Sequence, residues 1–306
     1  MSKAPHSESS RRFGTVIISH GPEVVVKVED DLVACRGRRK LGKTVCGDRV
    51  WLSDDQPPVL DGIAPRDNVF PRSDRRGRQQ IVAANLARVV IVVAPKPEPT
   101  RDLINRYLVA CENLELPAVI CFNKADLIDA EARTGWDSQA KLYRKLGYPV
   151  VYSSTKSSPG LGELAKLLAD GPSILVGQSG VGKSSLINQL LPDLALKTQA
   201  ISTATAKGKH TTTATTWYDR EGAGPIIDSP GVWEYGIWKM PWSDVARGFV
   251  EFSTYAQECR FSNCQHLSEP DCGVQAAADA GRIDPSRLAS YRRIVGALEQ
   301  IPDPGG

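Results

Sequence analysis

The sequence predicts a multidomain protein: an OB-like β-barrel at the N-terminus, a central α/β P-loop domain with a mostly parallel sheet, and a mainly helical C-terminal domain built round a Cys/His cluster. Three observations predict it. Short β-rich runs separated by Gly, Pro and charged turns fill residues 13–72, strand and helix patterns alternate over 88–240, and three cysteines crowd beside a histidine within 241–306. With 306 residues, 41% apolar and 24% charged, the chain has an ordinary globular composition and length for about two average domains.

Residues 1–12 are rich in Ser, Lys and Arg and read as a disordered arm. The runs Gly14-Thr-Val-Ile-Ile, Glu23-Val-Val-Val-Lys-Val, Asp31-Leu-Val-Ala-Cys and Asp48-Arg-Val-Trp-Leu then follow at short intervals. Several short strands in such a span fit a small barrel, and the OB-fold is a common nucleic-acid-binding one. Residues 73–87 read as a basic linker. Arg36, Arg38, Arg39, Lys40 and Lys43 form a run with no acid, and Arg72, Arg75, Arg76 and Arg78 are opposed only by Asp74. The net charge of +3 does not by itself argue for nucleic acid. The runs could neutralise phosphates, with a solvated loop as the plainer alternative.

The central domain opens on Arg88-Val-Val-Ile-Val-Val-Ala, a continuous apolar run suited to a parallel strand buried on both faces. A helix is expected from Thr100 to about Leu114, with Leu103, Tyr107, Leu108 and Cys111 on one face and Thr100 as its cap. Strands at 117–122, 149–152 and 173–176 alternate with helices at 138–146 and 161–168, and a last helix is expected at 285–300. No apolar run reaches the roughly 18 residues that cross a bilayer, and no apolar segment follows the basic start, so a cytoplasmic protein without membrane contact is expected. The seven cysteines are an odd number and argue against a disulfide framework; Cys35, Cys46, Cys111 and Cys121 sit in apolar positions and read as core.

Gly177-Gln178-Ser179-Gly180-Val181-Gly182-Lys183-Ser184 lies between a strand and the helical Ser185-Leu-Ile-Asn, the setting a phosphate-binding P-loop requires. Its backbone N–H groups and the helix N-terminus cradle phosphate, Lys183 reaches the β- and γ-phosphates, and Ser184 ligates Mg²⁺. Asn123-Lys124-Ala-Asp126 follows a strand, and the Asp126 carboxylate can accept two hydrogen bonds from guanine that adenine cannot offer. Together these motifs predict a GTP and GDP site. Ser153 and Ser154, after the strand ending at Tyr152, fit a guanine-side loop, though an ordinary turn fits as well. Asp228-Ser-Pro-Gly231 ends a further strand, with Asp228 near Mg²⁺ and the Gly231 amide facing the γ-phosphate. Lys207 to Thr213 is a candidate switch loop in which Thr212, chosen among Thr211, Thr212 and Thr213, would complete the Mg²⁺ shell; a Thr-rich strand start is the alternative.

Two departures from the usual GTPase order carry information. The guanine box precedes the P-loop, so the domain is circularly permuted. Val232 follows Gly231, where a water-positioning Gln is common, so hydrolysis needs another group. His210 is the nearest polar candidate in sequence, with a surface histidine beside Lys209 as the bland reading. In the C-terminal domain, Cys259, Cys264, His266 and Cys272 are spaced C-x4-C-x-H-x5-C and can close a tetrahedral shell for structural zinc. A redox pair or an iron–sulfur cluster is the other reading.

The barrel with Cys35-Arg-Gly-Arg beside Val45-Cys-Gly-Asp-Arg-Val, the P-loop Gly177 to Ser185, Gly208-Lys-His-Thr-Thr-Thr213 and Cys259-Arg-Phe-Ser-Asn-Cys264-Gln-His266 resemble the RsgA (YjeQ) family of circularly permuted GTPases. The resemblance runs from about Gly14 to Glu299. It implies a GTPase acting late in small-ribosomal-subunit maturation and stimulated by that subunit; the leading reading is an RNA-directed GTPase whose barrel and zinc domain grip rRNA. It also implies His210 as the catalytic residue, and Cys259, Cys264, His266 and Cys272 as ligands of one zinc. A monomer is expected. The competing classes are a GTP-dependent interaction switch with little catalysis and no rRNA contact, and a housekeeping NTPase without an RNA partner.

Overall fold

β1 (Arg12–His20) is shared by two parts of the molecule. It pairs antiparallel with β2 (Glu23–Val28), with β4 (Arg49–Leu52) near its start and with β12 (Thr215–Arg220) near its end. A computed structural model describes residues 12–20, 23–73, 79–156, 160–191, 193, 215–229 and 238–301. β2 pairs with β3 (Asp31–Arg36), β4 pairs with β5 (Leu60–Ile63), and a parallel bridge from Arg36 to Val59 joins β3 to β5. The circuit β1-β2-β3-β5-β4-β1 is therefore closed, as the OB-like barrel expectation requires. Val16, Val24, Val26, Cys35, Val50, Leu52 and Leu60 fill it.

Within the span 73–87, expected as a linker, residues 79–84 form a strand. β7 (Gln79–Ala84) pairs with β6 (Val69–Ser73) as a two-stranded ribbon, and Cys46 bridges to Ala83. Ala83 and Ala84 are fully buried, but alanine is a weak strand former, so the sequence does not announce the strand.

β8 (Arg88–Val93), β9 (Ala118–Phe122), β10 (Val150–Tyr152), β11 (Ser173–Val176) and β13 (Ala223–Asp228) form the parallel core of the central sheet in the order β10-β9-β8-β11-β13. β12 adds antiparallel to β13 and continues through β1 into the barrel. Helices α1 (Leu103–Asn113), α2 (Ala130–Lys145), α3 (Leu161–Leu167) and α4 (Lys183–Leu190) connect the parallel strands. α2 starts earlier than the sequence suggests. Asp129 caps it through Ala132 N at 2.8 Å, but only Ala140 and Tyr143 along it are buried, so its first turns show no apolar period. Thr100 does not cap α1. The cap position is Asp102, at φ 66°, with no side-chain cap bond.

The C-terminal domain comprises α5 (Trp242–Arg247), α6 (Phe252–Ala256), α7 (Gly273–Asp279) and α8 (Pro285–Glu299). Asp284 caps α8 through Ser286 N at 2.9 Å and Pro285 occupies its first turn. Gly248 meets Val109 of α1 so closely that a Cβ would collide with the Val109 backbone. Arg287 is buried between the domains: it forks Glu251 at 2.7 and 3.0 Å and donates to Asn105 Oδ1 at 2.6 Å. No helix among the described residues is long and apolar enough to cross a membrane.

Candidate nucleotide and metal sites

The chain walks from β8 through β9 to β10 and then returns to place β11 on the other side of β8. Open α/β sheets bind ligands outside the carboxyl ends of their strands at such a reversal. The P-loop follows β11, the guanine box follows β9, Ser153 and Ser154 follow β10, and Asp228 ends β13. Motifs scattered along the chain are thereby brought to one edge.

Two glycines are demanded by geometry. Gly177 has φ 139° and a Cβ there would strike the Val92 carbonyl oxygen; Gly182 has φ 97° and a Cβ would strike Asn123 Nδ2. The close approach at Gly182 allows Asn123 Nδ2 to donate to Val181 O at 2.8 Å, while its Oδ1 accepts from Ser153 Oγ at 3.0 Å. Lys124 reaches over the same loop, donating to Gly180 O at 2.5 Å and to Lys96 O at 2.8 Å. Asn123 and Lys124 thus fasten the guanine box to the P-loop, and Asp126 stands at the rim. Its Oδ1 accepts from Ser154 Oγ at 2.5 Å and Lys156 Nζ is 3.7 Å from Oδ2. The Ser154 hydroxyl, first, and Lys156 hold the Asp126 carboxyl below its ordinary range, so it is an acceptor at neutral pH.

Lys183 is buried and donates to Gly177 O at 2.8 Å and Gln178 O at 2.9 Å. Burial lowers its pKa, with Asp228 acting in the other direction. Asp228 is hydrogen-bonded by Ser184 and faces Lys183, yet burial pushes its carboxyl up to about 6. A buried carboxylate beside a hydroxyl, at a phosphate cradle, fits a hard divalent cation such as Mg²⁺. Ser179, Gly180 and Ser185 complete the loop and the first turn of α4. Thr212, Gly231 and His210 lie outside the described residues.

The four ligand atoms of Cys259, Cys264, His266 and Cys272 lie within 4.8 Å of one another. Cys259 Sγ is 3.6 Å and Cys272 Sγ 3.4 Å from His266 Nδ1, and the two sulfurs are 4.0 Å apart. A tetrahedron built on Zn–S and Zn–N bonds has edges of about 3.8 and 3.6 Å, so the set fits. Gly273 N donates to Cys259 Sγ at 3.3 Å and Gln275 N to Cys272 Sγ at 3.4 Å, bonds that favour thiolates. The loop is held by Glu269, which accepts from Gln265 N and Leu267 N, and by Arg292, which donates to His266 O.

A family model described as RsgA GTPase matches residues 63–238. The small ribosomal subunit biogenesis GTPase RsgA of Azotobacter vinelandii is 43% identical over 298 residues, 95% of this chain and 86% of that protein. The protein of the same name from Histophilus somni is 40% identical over 294 residues, 94% of this chain and 84% of its own length. The chain belongs to the RsgA GTPase family. Among solved structures, YjeQ from Thermotoga maritima aligns with TM-score 0.75 and 31% identity over 95% of this chain and 98% of its own. YloQ, a circularly permuted GTPase, aligns with TM-score 0.71 and 26% identity, covering 98% of each chain.

As an RsgA GTPase the chain hydrolyses GTP, and its site has contributors that no motif announces. Thr100 N–H donates to Gln178 Oε1 at 3.2 Å, and Gln178 Nε2 donates back to Thr100 Oγ1. Tyr107, buried on α1, is hydrogen-bonded by the Gly177 backbone. The signal was present in part, since Tyr107 falls on the predicted buried face, but only the fold gives it a partner.

Proposed function

We propose that this RsgA GTPase acts in maturation of the small ribosomal subunit, the role its relatives' names give them, in the cytoplasm and as a monomer. Its barrel and C-terminal domain grip rRNA, and GTP sets the grip. The observation that carries this reading is the permuted order: the strand that ends on Asp228 is the last of the sheet, and Trp238, soon after it, is already buried in the core shared with the C-terminal domain. The segment that follows Asp228 is therefore also the tether of the domain that grips RNA. The cations Arg36, Arg38, Lys40 and Lys43 support the barrel's part in it.

Asn123, Lys124 and Asp126, with Ser153 and Ser154, read guanine; the loop from Gly177 to Ser185 holds phosphate. On binding, Lys183 exchanges the Gly177 and Gln178 carbonyls for phosphate oxygens. Mg²⁺, held by Ser184 and Thr212 with Asp228 close by, supplies positive charge against the phosphates. Gly231 N–H faces the γ-phosphate. We assign water positioning to His210, because Val232 has no polar atom for that task and His210 precedes the threonines of the switch loop. Zinc is the metal we assign to the closed Cys/His shell, in a structural role.

Turnover measured with and without purified small subunits over a range of salt tests the reading. Stimulation that fades as salt rises is expected; its absence at every salt leaves an interaction switch or a partnerless NTPase. His210→Ala keeps GTP affinity within a few-fold and lowers stimulated turnover by at least about tenfold. Equal stimulated rates would remove His210 from the chemistry.

A further inference from the structure

We propose that Arg293, on the last helix of the C-terminal domain, is a positioning residue for the P-loop, acting through Asp102, Thr100 and Gln178. The first link is a fork. Arg293 Nε donates to Asp102 Oδ2 at 2.8 Å and Nη2 to Oδ1 at 2.5 Å, and the Asp102 side chain is only 7% exposed. A bidentate pair of this kind fixes direction as well as distance.

The second link is backbone. Asp102 is held at φ 66°, a left-handed conformation that a non-glycine residue keeps only where the surroundings impose it. Its carbonyl accepts from Arg106 N at 2.9 Å, and the Thr100 carbonyl accepts from Leu103 N at 3.0 Å. The turn from Thr100 into α1 is thus set by the residue that Arg293 grips.

The third link reaches the nucleotide loop. The Gln178 side-chain amide reads Thr100 with both of its polar atoms, one to the backbone and one to the hydroxyl. The Gln178 carbonyl accepts from Lys183 Nζ at 2.9 Å. Gln178 is itself a residue of the loop whose backbone N–H groups cradle phosphate, so what fixes its side chain holds that stretch of the loop in place. Docking of the C-terminal domain has a second anchor in Arg287, which Glu251 holds and which donates to Asn105, so Arg293 does not seat the domain alone. Its place beside the loop 95–102 gives it a separate use, and Pro95, Lys96, Thr100, Asp102 and Arg293 line one cleft there.

The inference rests on the P-loop's part in GTP binding and not on any ribosomal role, so its test uses the full chain without subunits. Equilibrium binding of GTP is measured for Arg293→Ala, Gln178→Ala and the double variant. Each single change is expected to weaken binding about three- to tenfold, and the double variant by little more than either, as groups acting in series behave. Arg293→Lys, which keeps the charge but not the fork, recovers part of the loss. If Arg293→Ala disturbs the C-terminal helices, Asp102→Asn carries the same cycle from outside that domain, since asparagine tolerates the left-handed backbone. Unchanged affinity in either single variant, or losses that multiply in the double one, would overturn the proposal.

Discussion

The barrel and the C-terminal domain are attached to the GTPase sheet by different means. The barrel joins through backbone: β1 pairs with β12 at Ile18 and Thr216 and at Ser19 and Thr215, so one sheet runs through both parts. Around that ladder lie Trp217 packed with Ile17, Ile18, Val25 and Leu32, and an ion pair, Lys27 to Asp219 at 2.8 Å. Among the described residues the C-terminal domain adds no strand. It is held by side chains, with Arg287 on Glu251 and Asn105, Arg293 on Asp102, and Asn113 Nδ2 on Asp244 O at 2.7 Å. A ladder is indifferent to most single side-chain changes, because its bonds belong to the main chain. Forked side chains can be removed one at a time, which makes the C-terminal attachment the one that substitution can tune.

The largest expected effect breaks the C-terminal side outright. Stripping the metal, or Cys264→Ser, removes the centre on which α6, α7 and the loop from Cys259 to Cys272 are built, and structural zinc contributes on the order of 10 kcal/mol in small domains. The C-terminal helices should unfold while the barrel and sheet retain their cooperative transition, followed by far-UV circular dichroism in urea. GTP binding should persist in weakened form. Elemental analysis finding iron, or no metal, in the folded chain would defeat the zinc assignment.

Next comes Arg287→Ala. It strands the Glu251 carboxylate in a buried contact and leaves Asn105 Oδ1 to Tyr143 alone. Breaking one partner of a buried pair costs about 3–5 kcal/mol, read as a shift in the urea midpoint. Substituting Glu251→Leu as well should restore much of that loss, since the uncompensated charge is the main penalty. A loss below about 1 kcal/mol would mean the pair is hydrated in solution and the comparison between the two attachments overstated.

How much of this was readable beforehand follows from the same contrast. The P-loop, the guanine box and the Cys/His set are contiguous motifs whose chemistry is carried by residue type and spacing, so the site could be assembled from the sequence. The barrel was legible from its short alternating runs. The attachments were not. Lys27 and Asp219 are 192 residues apart, Asn105 and Arg287 182, and Thr100 and Gln178 78, with no local pattern at either end. Thr100 looked like a helix cap because a threonine before an apolar period usually is one; here the P-loop claims its hydroxyl. The ribbon strand β7 was missed because alanines and a basic run hide its period.

A third prediction concerns where the barrel's ladder leads. Ile18 pairs with Thr216, and Thr216 with Asp228, so the barrel stands two strands from the carboxylate proposed to lie beside Mg²⁺. Burial raises the Asp228 pKa to about 6, so its proton and Mg²⁺ compete. Mg²⁺-dependent GTP affinity should be flat above pH 6 and fall about tenfold for each unit below it, about 1.4 kcal/mol at pH 5. The sign for stability without nucleotide is opposite. A carboxyl whose folded pKa is raised stabilises the fold when protonated, fully below its ordinary value near pH 4, and loses that contribution as pH rises through about 6. Asp228→Asn should remove both dependences, and a binding profile flat from pH 5 to 8 would place the cation elsewhere.

The smallest effect is the sharpest test of the contrast, because it predicts almost nothing. Lys27 and Asp219 are the ion pair that visibly bridges barrel and sheet, but their side chains are 32% and 47% exposed. An exposed pair is screened by water and salt and contributes typically 0–1 kcal/mol. The ladder beneath it does not depend on either charge, and Trp217 keeps its apolar seat and its own bond to Asp219. Lys27→Ala should therefore shift the urea midpoint by less than about 1 kcal/mol and leave GTP binding unchanged. Trp217→Ala, which empties the apolar contact, should cost more than the charge does. If instead Lys27→Ala separated the barrel from the sheet, as a new protease-sensitive site between β1 and β12 would reveal, the backbone ladder would be too weak to act alone. Both flanking domains would then be held by their side chains.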